Sequence, residues 1–213
     1  DATVVLRDGK IVSKGQGPAP AGAEVIDLEG RYVLPGLFDA HTHLDMPAGS
    51  LTSADDFETG TKAAALGGTT TVVDFATPEP GQSLLAAFDV WQGKAEGRAV
   101  VDYGFHMALR GLGDATLGEM ARLTREGAVT SFKLYLAYPA ILQVDDGTFF
   151  RALQAARECG ALILVHAENG GVIEVLVKQA LGRGETAPVH HALTRPPATE
   201  AEATGRAIAM AGL

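Results

Sequence analysis

The stretch "YVLPGLFDAHTHLDMP", residues 32–47, starts as an apolar run and ends in side chains that favour metals. Its first nine residues, "YVLPGLFDA", predict a buried strand, and His41 and His43 stand where that strand finishes. Residues two apart on a strand face the same way, so the two imidazoles are expected side by side. Such a pair is either a hydrogen-bonded structural feature or half of a metal site.

Working outward, the same strand-then-helix pattern repeats to the end of the chain. Strands are predicted over Thr69–Phe75, Val101–Leu109, Ser131–Ala137 and Ala161–Asn169. Helices are predicted over Ala54–Leu66, Ser83–Ala95, Thr116–Arg125, Thr148–Cys159, Val172–Leu181 and Thr199–Ala211. Gly67-Gly68, Gly127 and Gly160 follow helices, where a left-handed residue closes the last turn. Near-continuous apolar strands alternating with helices imply a parallel sheet covered on both faces. Five such strands fit either a complete doubly wound sheet or part of an eight-stranded barrel. The series stops after a helix, "AIAMAGL", which points to a partial barrel.

The first thirty or so residues read differently. "TVVLRDGKIVSKG" alternates around Asp8-Gly9, a hairpin signal. "AEVIDLEGRYVLPG" predicts further short strand with Gly30 as a turn. Residues 1–33 are therefore expected to be part of a small β-domain, and residues 34–213 the β/α portion. With Asp at position 1, the reading also expects chain ahead of it.

Bulk properties narrow the function. The 213 residues are 46% hydrophobic with 26 glycines, which suits a packed α/β protein. A net charge of −9 without a basic run excludes nucleic acid and anionic membranes as partners. No apolar run approaches a membrane span. The single cysteine, Cys159, cannot close an internal disulfide, and a cytoplasmic location is expected.

The polar residues of interest cluster at strand ends, the edge where parallel α/β folds bind ligands. His41 and His43 end the first strand, Lys133 lies in the fourth, and His166 ends the fifth. A lysine in an apolar strand is costly unless paired or neutralised. An ammonium cannot ligate a metal, but a neutral amine can capture carbon dioxide as a carbamate, an anionic two-oxygen ligand. Two divalent ions about 3.5–4 Å apart could then share one hydroxide and polarise a carbonyl. Zn²⁺ suits imidazole and oxygen donors. His106 lies inside its strand and is expected to be packed or to support the site. His190 and His191, in the predicted loop "APVHHALTRPP", are read as structural or gating.

Together "GLFDAHTHLDMP", "ALGGTTTVVDFA", "SFKLYLAYP", "VDDGTFF", "VHAENG" and "HALTRPPATEAEAT" resemble the hydantoinase and dihydropyrimidinase branch of the cyclic amidohydrolases. The resemblance runs from about Asp8 to the end. It implies a TIM-like (β/α)8 metal-dependent hydrolase barrel with about its first five strands present, plus part of a small N-terminal β-sandwich. It implies that His41 and His43 bind a first metal, that Lys133 is carboxylated and bridges, and that His166 binds a second. Tyr138, five residues after the lysine, would bind substrate and the developing oxyanion. The family's further metal-binding histidine and its general acid/base aspartate fall beyond these residues, so the 213 residues alone are expected to be incomplete and inactive.

The implied reaction is hydrolysis of cyclic amides, 5-substituted hydantoins or dihydropyrimidines, to N-carbamoyl amino acids. The implied cofactors are two divalent ions, Zn²⁺ foremost, with carbon dioxide as the lysine carbamate. A homotetramer or homodimer is implied for the full-length protein. Dihydroorotase-like relatives carry an arginine where this chain has Asp45, which would repel a substrate carboxylate. An allantoinase-like enzyme and a non-catalytic scaffold or assembly protein are the alternatives.

Overall fold

A computed structural model describes residues 2–213, and Ala48 by its backbone only. Two compact units are present, Asp1–Pro35 and Gly36–Leu213.

In the first unit, β1 (Thr3–Arg7) and β2 (Lys10–Gly15) form an antiparallel hairpin. Asp8 and Gly9 both have positive φ, 51° and 73°, the turn whose twist matches a right-handed ribbon. The strand predicted over "AEVIDLEGRYVLPG" does not form. Among the described residues of this unit nothing pairs with it, and an unpaired strand leaves its backbone ladder unmade. It holds local turns instead, one closed by the Arg31 amide donating to the Leu28 carbonyl.

The second unit is built on five parallel strands: β3 (Leu37–Thr42), β6 (Thr69–Ala76), β7 (Asp102–Ala108), β8 (Ser131–Tyr135) and β9 (Leu162–His166). Between β3 and β6 sits a small hairpin, β4 (Pro47–Ala48) and β5 (Leu51–Thr52), which the sequence reading did not include. The strands lie side by side in chain order. A doubly wound sheet reverses its strand order at a switch point. Sequential order instead makes a singly wound, curled sheet, and so decides for the partial barrel.

The first strand begins at Leu37, later than predicted. Its parallel partner β6 starts only at Thr69, and the Leu37 amide opens the ladder by donating to Gly68 O. Pro35, just ahead, has no amide to offer.

Six longer helices follow the strands: α1 (Phe57–Leu66), α2 (Leu84–Ala95), α3 (Asp114–Arg125), α4 (Asp146–Cys159), α5 (Gly170–Gly182) and α7 (Pro197–Ala211). Side-chain caps fix several starts. Asp56 accepts from the Glu58 and Thr59 amides, Ser83 from Ala86, Asp145 from Thr148 and Asn169 from Val172. The predicted loop around His190 holds a short helix, α6 (Val189–Leu193), preceded by Pro188, whose fixed φ suits a helix start. One sheet face packs on helices through Phe105, Met107, Phe132 and Leu134, joined by Phe57 of α1 and Trp91 of α2. The opposite face is left for the polar residues.

Candidate metal centre

Register places the polar residues on one face. Across the parallel ladder Phe75 pairs with His106, Ala108 with Lys133, and Tyr135 with His166. Lys133 and Tyr135 are two apart on β8 and share that face.

Two aromatic rings organise the site. Phe75 is contacted by His41 at 4.5 Å, His43 at 5.0 Å and His106 at 4.8 Å between ring centroids. The Lys133 Nζ lies 5.7 Å from the same ring. Tyr135 forms the second floor, with Tyr138 at 6.0 Å, His166 at 5.9 Å and the Lys133 Nζ at 5.5 Å. Lys133 is thus common to a cluster holding His41 and His43 and to one holding His166 and Tyr138.

The donors are poised chemically. The His41 and His43 rings meet edge-on at 5.1 Å. Burial, with the nearby His43 and Lys133, lowers the His41 pKa and favours the neutral, ligating imidazole. Lys133 is buried, and burial alone pulls its pKa below that of an ordinary lysine. Among the described residues it has no carboxylate partner that would restore its charge. A desolvated, unpaired amine is the state that reacts with carbon dioxide. Among the described residues no cluster of three or more His, Cys, Asp or Glu is arranged to hold a metal.

His106 is occupied at both ring nitrogens. Nε2 contacts the Ala40 carbonyl at 2.9 Å and must donate, so Nδ1 accepts from the Ser131 hydroxyl at 2.5 Å. It therefore ties β3, β7 and β8 together, as a supporting residue. His190 and His191 sit in α6, away from these two clusters in the contacts they make: His190 lies 3.6 Å from Glu185, and His191 Nδ1 accepts from Arg195 at 3.2 Å. Together with Val177, Leu181 and Thr194 they line a cleft of about 300 Å³.

Tyr138 lies in the left-handed region, φ 65°, a rare conformation for a bulky residue and a mark of a locally held loop. Its ring is 5.0 Å from that of His166. Its carbonyl accepts from the amides of Ile141, Leu142 and Gln143. Gly170 explains why "HAENG" ends in glycine. A Cβ there would lie 2.9 Å from Ala137 Cα and 3.1 Å from the Leu136 carbonyl. Gly170→Ala is expected to displace the loop bearing Tyr138 and to destabilise the fold by about 1–3 kcal/mol, as overpacking does. Urea unfolding checks this; an unchanged midpoint would refute it.

Some site residues were not singled out from sequence. Asp74 is fully buried, accepts from the Leu44 amide at 2.6 Å, the Phe75 amide at 2.8 Å and the Thr42 hydroxyl at 3.1 Å, and so fastens the turn carrying His43. A lone acid in the apolar run "TTTVVDF" was the available signal, the same oddity that marked Lys133. Tyr135 could have been found from its two-residue spacing to Lys133. Asp45 is engaged: Arg98 lies 3.7 Å from its carboxylate, and Lys94 donates to its carbonyl at 2.7 Å. Its charge is thus partly compensated, which softens the argument against an anionic substrate.

A curled parallel β/α sheet with imidazoles and a buried lysine along its C-terminal edge defines a hydrolase-type barrel fold. Comparison with known proteins narrows the class. The pattern of the amidohydrolase family matches residues 32–194, and the chain belongs to that family. It is 52% identical over 207 residues to a D-hydantoinase of Geobacillus stearothermophilus, covering 97% of this chain and 44% of that protein. It is 41% identical to a dihydropyrimidinase of Rattus norvegicus over 99% of this chain and 41% of that one. A crystal structure of D-hydantoinase superposes with a TM-score of 0.95 at 50% identity, covering all of this chain and 46% of the other. The chain thus spans somewhat under half the length of these relatives.

Proposed function

We propose that the protein hydrolyses cyclic amides, opening 5-substituted hydantoins and dihydropyrimidines to N-carbamoyl amino acids. The observation that carries this is Lys133, buried without a carboxylate partner and shared between the Phe75 and Tyr135 clusters. The relatives named D-hydantoinase and dihydropyrimidinase support the substrate class. In this reading residues 1–33 belong to a small β-sandwich and residues 34–213 to the N-terminal portion of the barrel.

The donors fit divalent metal. His41 and His43 would hold one ion, His166 a second, and Lys133, as its carbamate, both. Two such ions, Zn²⁺ by donor type, would supply Lewis acidity at the ring carbonyl and activate the attacking water. Proton transfer to the ring nitrogen would fall to the family's aspartate, outside these 213 residues, and the residues present bind and orient. Tyr138 donates its hydroxyl to the carbonyl oxygen as negative charge develops there. Tyr135 and Phe75 exclude water beneath the reacting bond. Asp74 and His106 keep the His-x-His turn fixed on the sheet. Water adds across the amide, one ring C–N bond breaks, and the ring nitrogen leaves protonated. A cytoplasmic homotetramer or homodimer belongs to the same reading, on the resemblance and the single cysteine.

The test offers the purified full-length protein dihydrouracil, hydantoin, allantoin and dihydroorotate, before and after chelation and Zn²⁺ restoration, with these 213 residues alone expected to be inactive. Ring opening of dihydrouracil and hydantoin, lost on chelation and regained with Zn²⁺, is expected. A preference for allantoin or dihydroorotate would move the protein to another branch of the family, and chelator-insensitive turnover would sink the metal reading.

A further inference from the structure

His166 is not held by the sheet alone. Its Nε2 lies 2.6 Å from Glu168 Oε2. The other oxygen of Glu168, Oε1, lies 3.9 Å from the Nε of Arg195. Arg195 is anchored in turn by donating to the His191 carbonyl at 3.1 Å and to His191 Nδ1 at 3.2 Å. All three linked side chains are largely withdrawn from solvent, with 30%, 17% and 24% of their side-chain surface exposed. Glu168 thus bridges the end of β9 to the turn between α6 and α7.

We infer that Glu168 is a positioning residue: it fixes His166 as the Nε2–H tautomer and leaves Nδ1 as the donor atom, while Arg195 holds the carboxylate in place. This rests on the reading of His166 as a metal ligand. A carboxylate can only accept, so the ring nitrogen facing it must carry the proton. In a neutral imidazole the lone pair is then on Nδ1, the nitrogen for which the described residues provide no hydrogen-bond partner. The stacked Tyr135 ring and the neighbouring Tyr138 ring limit rotation of the imidazole. Ligand histidines are commonly oriented in this manner, and losing the orienting partner weakens metal binding about 10- to 100-fold. The arrangement also links the rim of the sheet to α6, which gives His191 an indirect part in the site.

The experiment reads tautomer and affinity separately. The ring-nitrogen shifts of His166 are recorded by ¹⁵N NMR on metal-stripped protein, above the ordinary histidine range of pH. Zn²⁺ affinity is then measured against a competing chelator. The unaltered protein is expected to show the Nε2–H form. Glu168→Ala is expected to mix the tautomers and weaken Zn²⁺ binding about 10- to 100-fold. Glu168→Gln, whose amide can offer either its oxygen or its NH₂, should lose the strict preference for the Nε2–H form, and Arg195→Gln should fall between the unaltered protein and Glu168→Ala. An unchanged tautomer in Glu168→Ala overturns the inference, whatever happens to stability. If Glu168→Ala does not fold, an unchanged Nε2–H preference in Glu168→Gln overturns it as well. Unchanged Zn²⁺ affinity in His166→Ala defeats the metal reading instead, while the tautomer comparison stands by itself.

Discussion

Lys133→Met in the full-length protein is expected to stabilise the metal-free fold while abolishing metal-dependent hydrolysis. Lys133 is 9% exposed, lies between two aromatic rings, and has no carboxylate partner among the described residues. Burial therefore works against its charge, as its lowered pKa records. Methionine fills similar volume without a charge to desolvate. Replacing a poorly compensated buried charge with a hydrophobe is worth about 1–4 kcal/mol, and the lower half of that range is expected here. Function should move the other way. Losing a residue that merely orients a metal ligand costs about 10- to 100-fold, so losing the shared ligand should exceed about 100-fold in metal affinity. Turnover falls with it. Thermal unfolding and Zn²⁺ titration of the same variant read the two effects, and full metal retention by Lys133→Met would defeat the carbamate role. Opposite signs are the mark of a group kept for chemistry rather than folding.

Asp74→Ala is expected to be the most destabilising single change near the site. It strands the amides of Leu44 and Phe75 and frees the Thr42 hydroxyl, all of which Asp74 now satisfies. Leaving buried donors unmet costs about 1–3 kcal/mol each, so a loss of about 2–4 kcal/mol is expected after relaxation. The turn Thr42–Leu44 carries His43, and Zn²⁺ affinity should fall even where the variant remains folded. The pH dependence has a definite sign. Burial raises the Asp74 pKa above the unfolded value despite its hydrogen bonds. Such a carboxyl stabilises the fold most when protonated, and that contribution is lost as pH rises through the raised pKa. In metal-free protein the stability gap between the unaltered chain and Asp74→Ala should therefore narrow from acid toward neutral pH. Urea unfolding across that range measures it, and a gap that widens would mean the hydrogen bonds outweigh desolvation.

Much of the fold could be read locally. The strands around Thr69, Asp102, Ser131 and Leu162 were evident because apolar runs bounded by glycine and capping residues carry their signal within a few residues. The Asp8-Gly9 turn announced its hairpin for the same reason. The reading failed where pairing decides. "AEVIDLEGRYVLPG" has strand composition but no ladder partner among the described residues of its unit, and Leu37 rather than Tyr32 opens β3 because β6 begins at Thr69. The residues "PVHHAL" lacked an apolar period long enough to reveal a five-residue helix.

The site divides in the same way. Sequence alone determined which residue types stand at the strand ends: His41, His43, Lys133 and His166, with Tyr138 in the loop beyond. Spacing along a strand dictates which face a side chain takes, and that rule is local. Only the tertiary structure decided that Phe75 gathers the His-x-His pair to Lys133 and that Tyr135 gathers His166 and Tyr138 to the same lysine. It also decided that Asp74, His106, Glu168 and Arg195 support them. Those contacts join residues far apart in the chain, and they exist because parallel strands in sequential order bring successive ends to one edge.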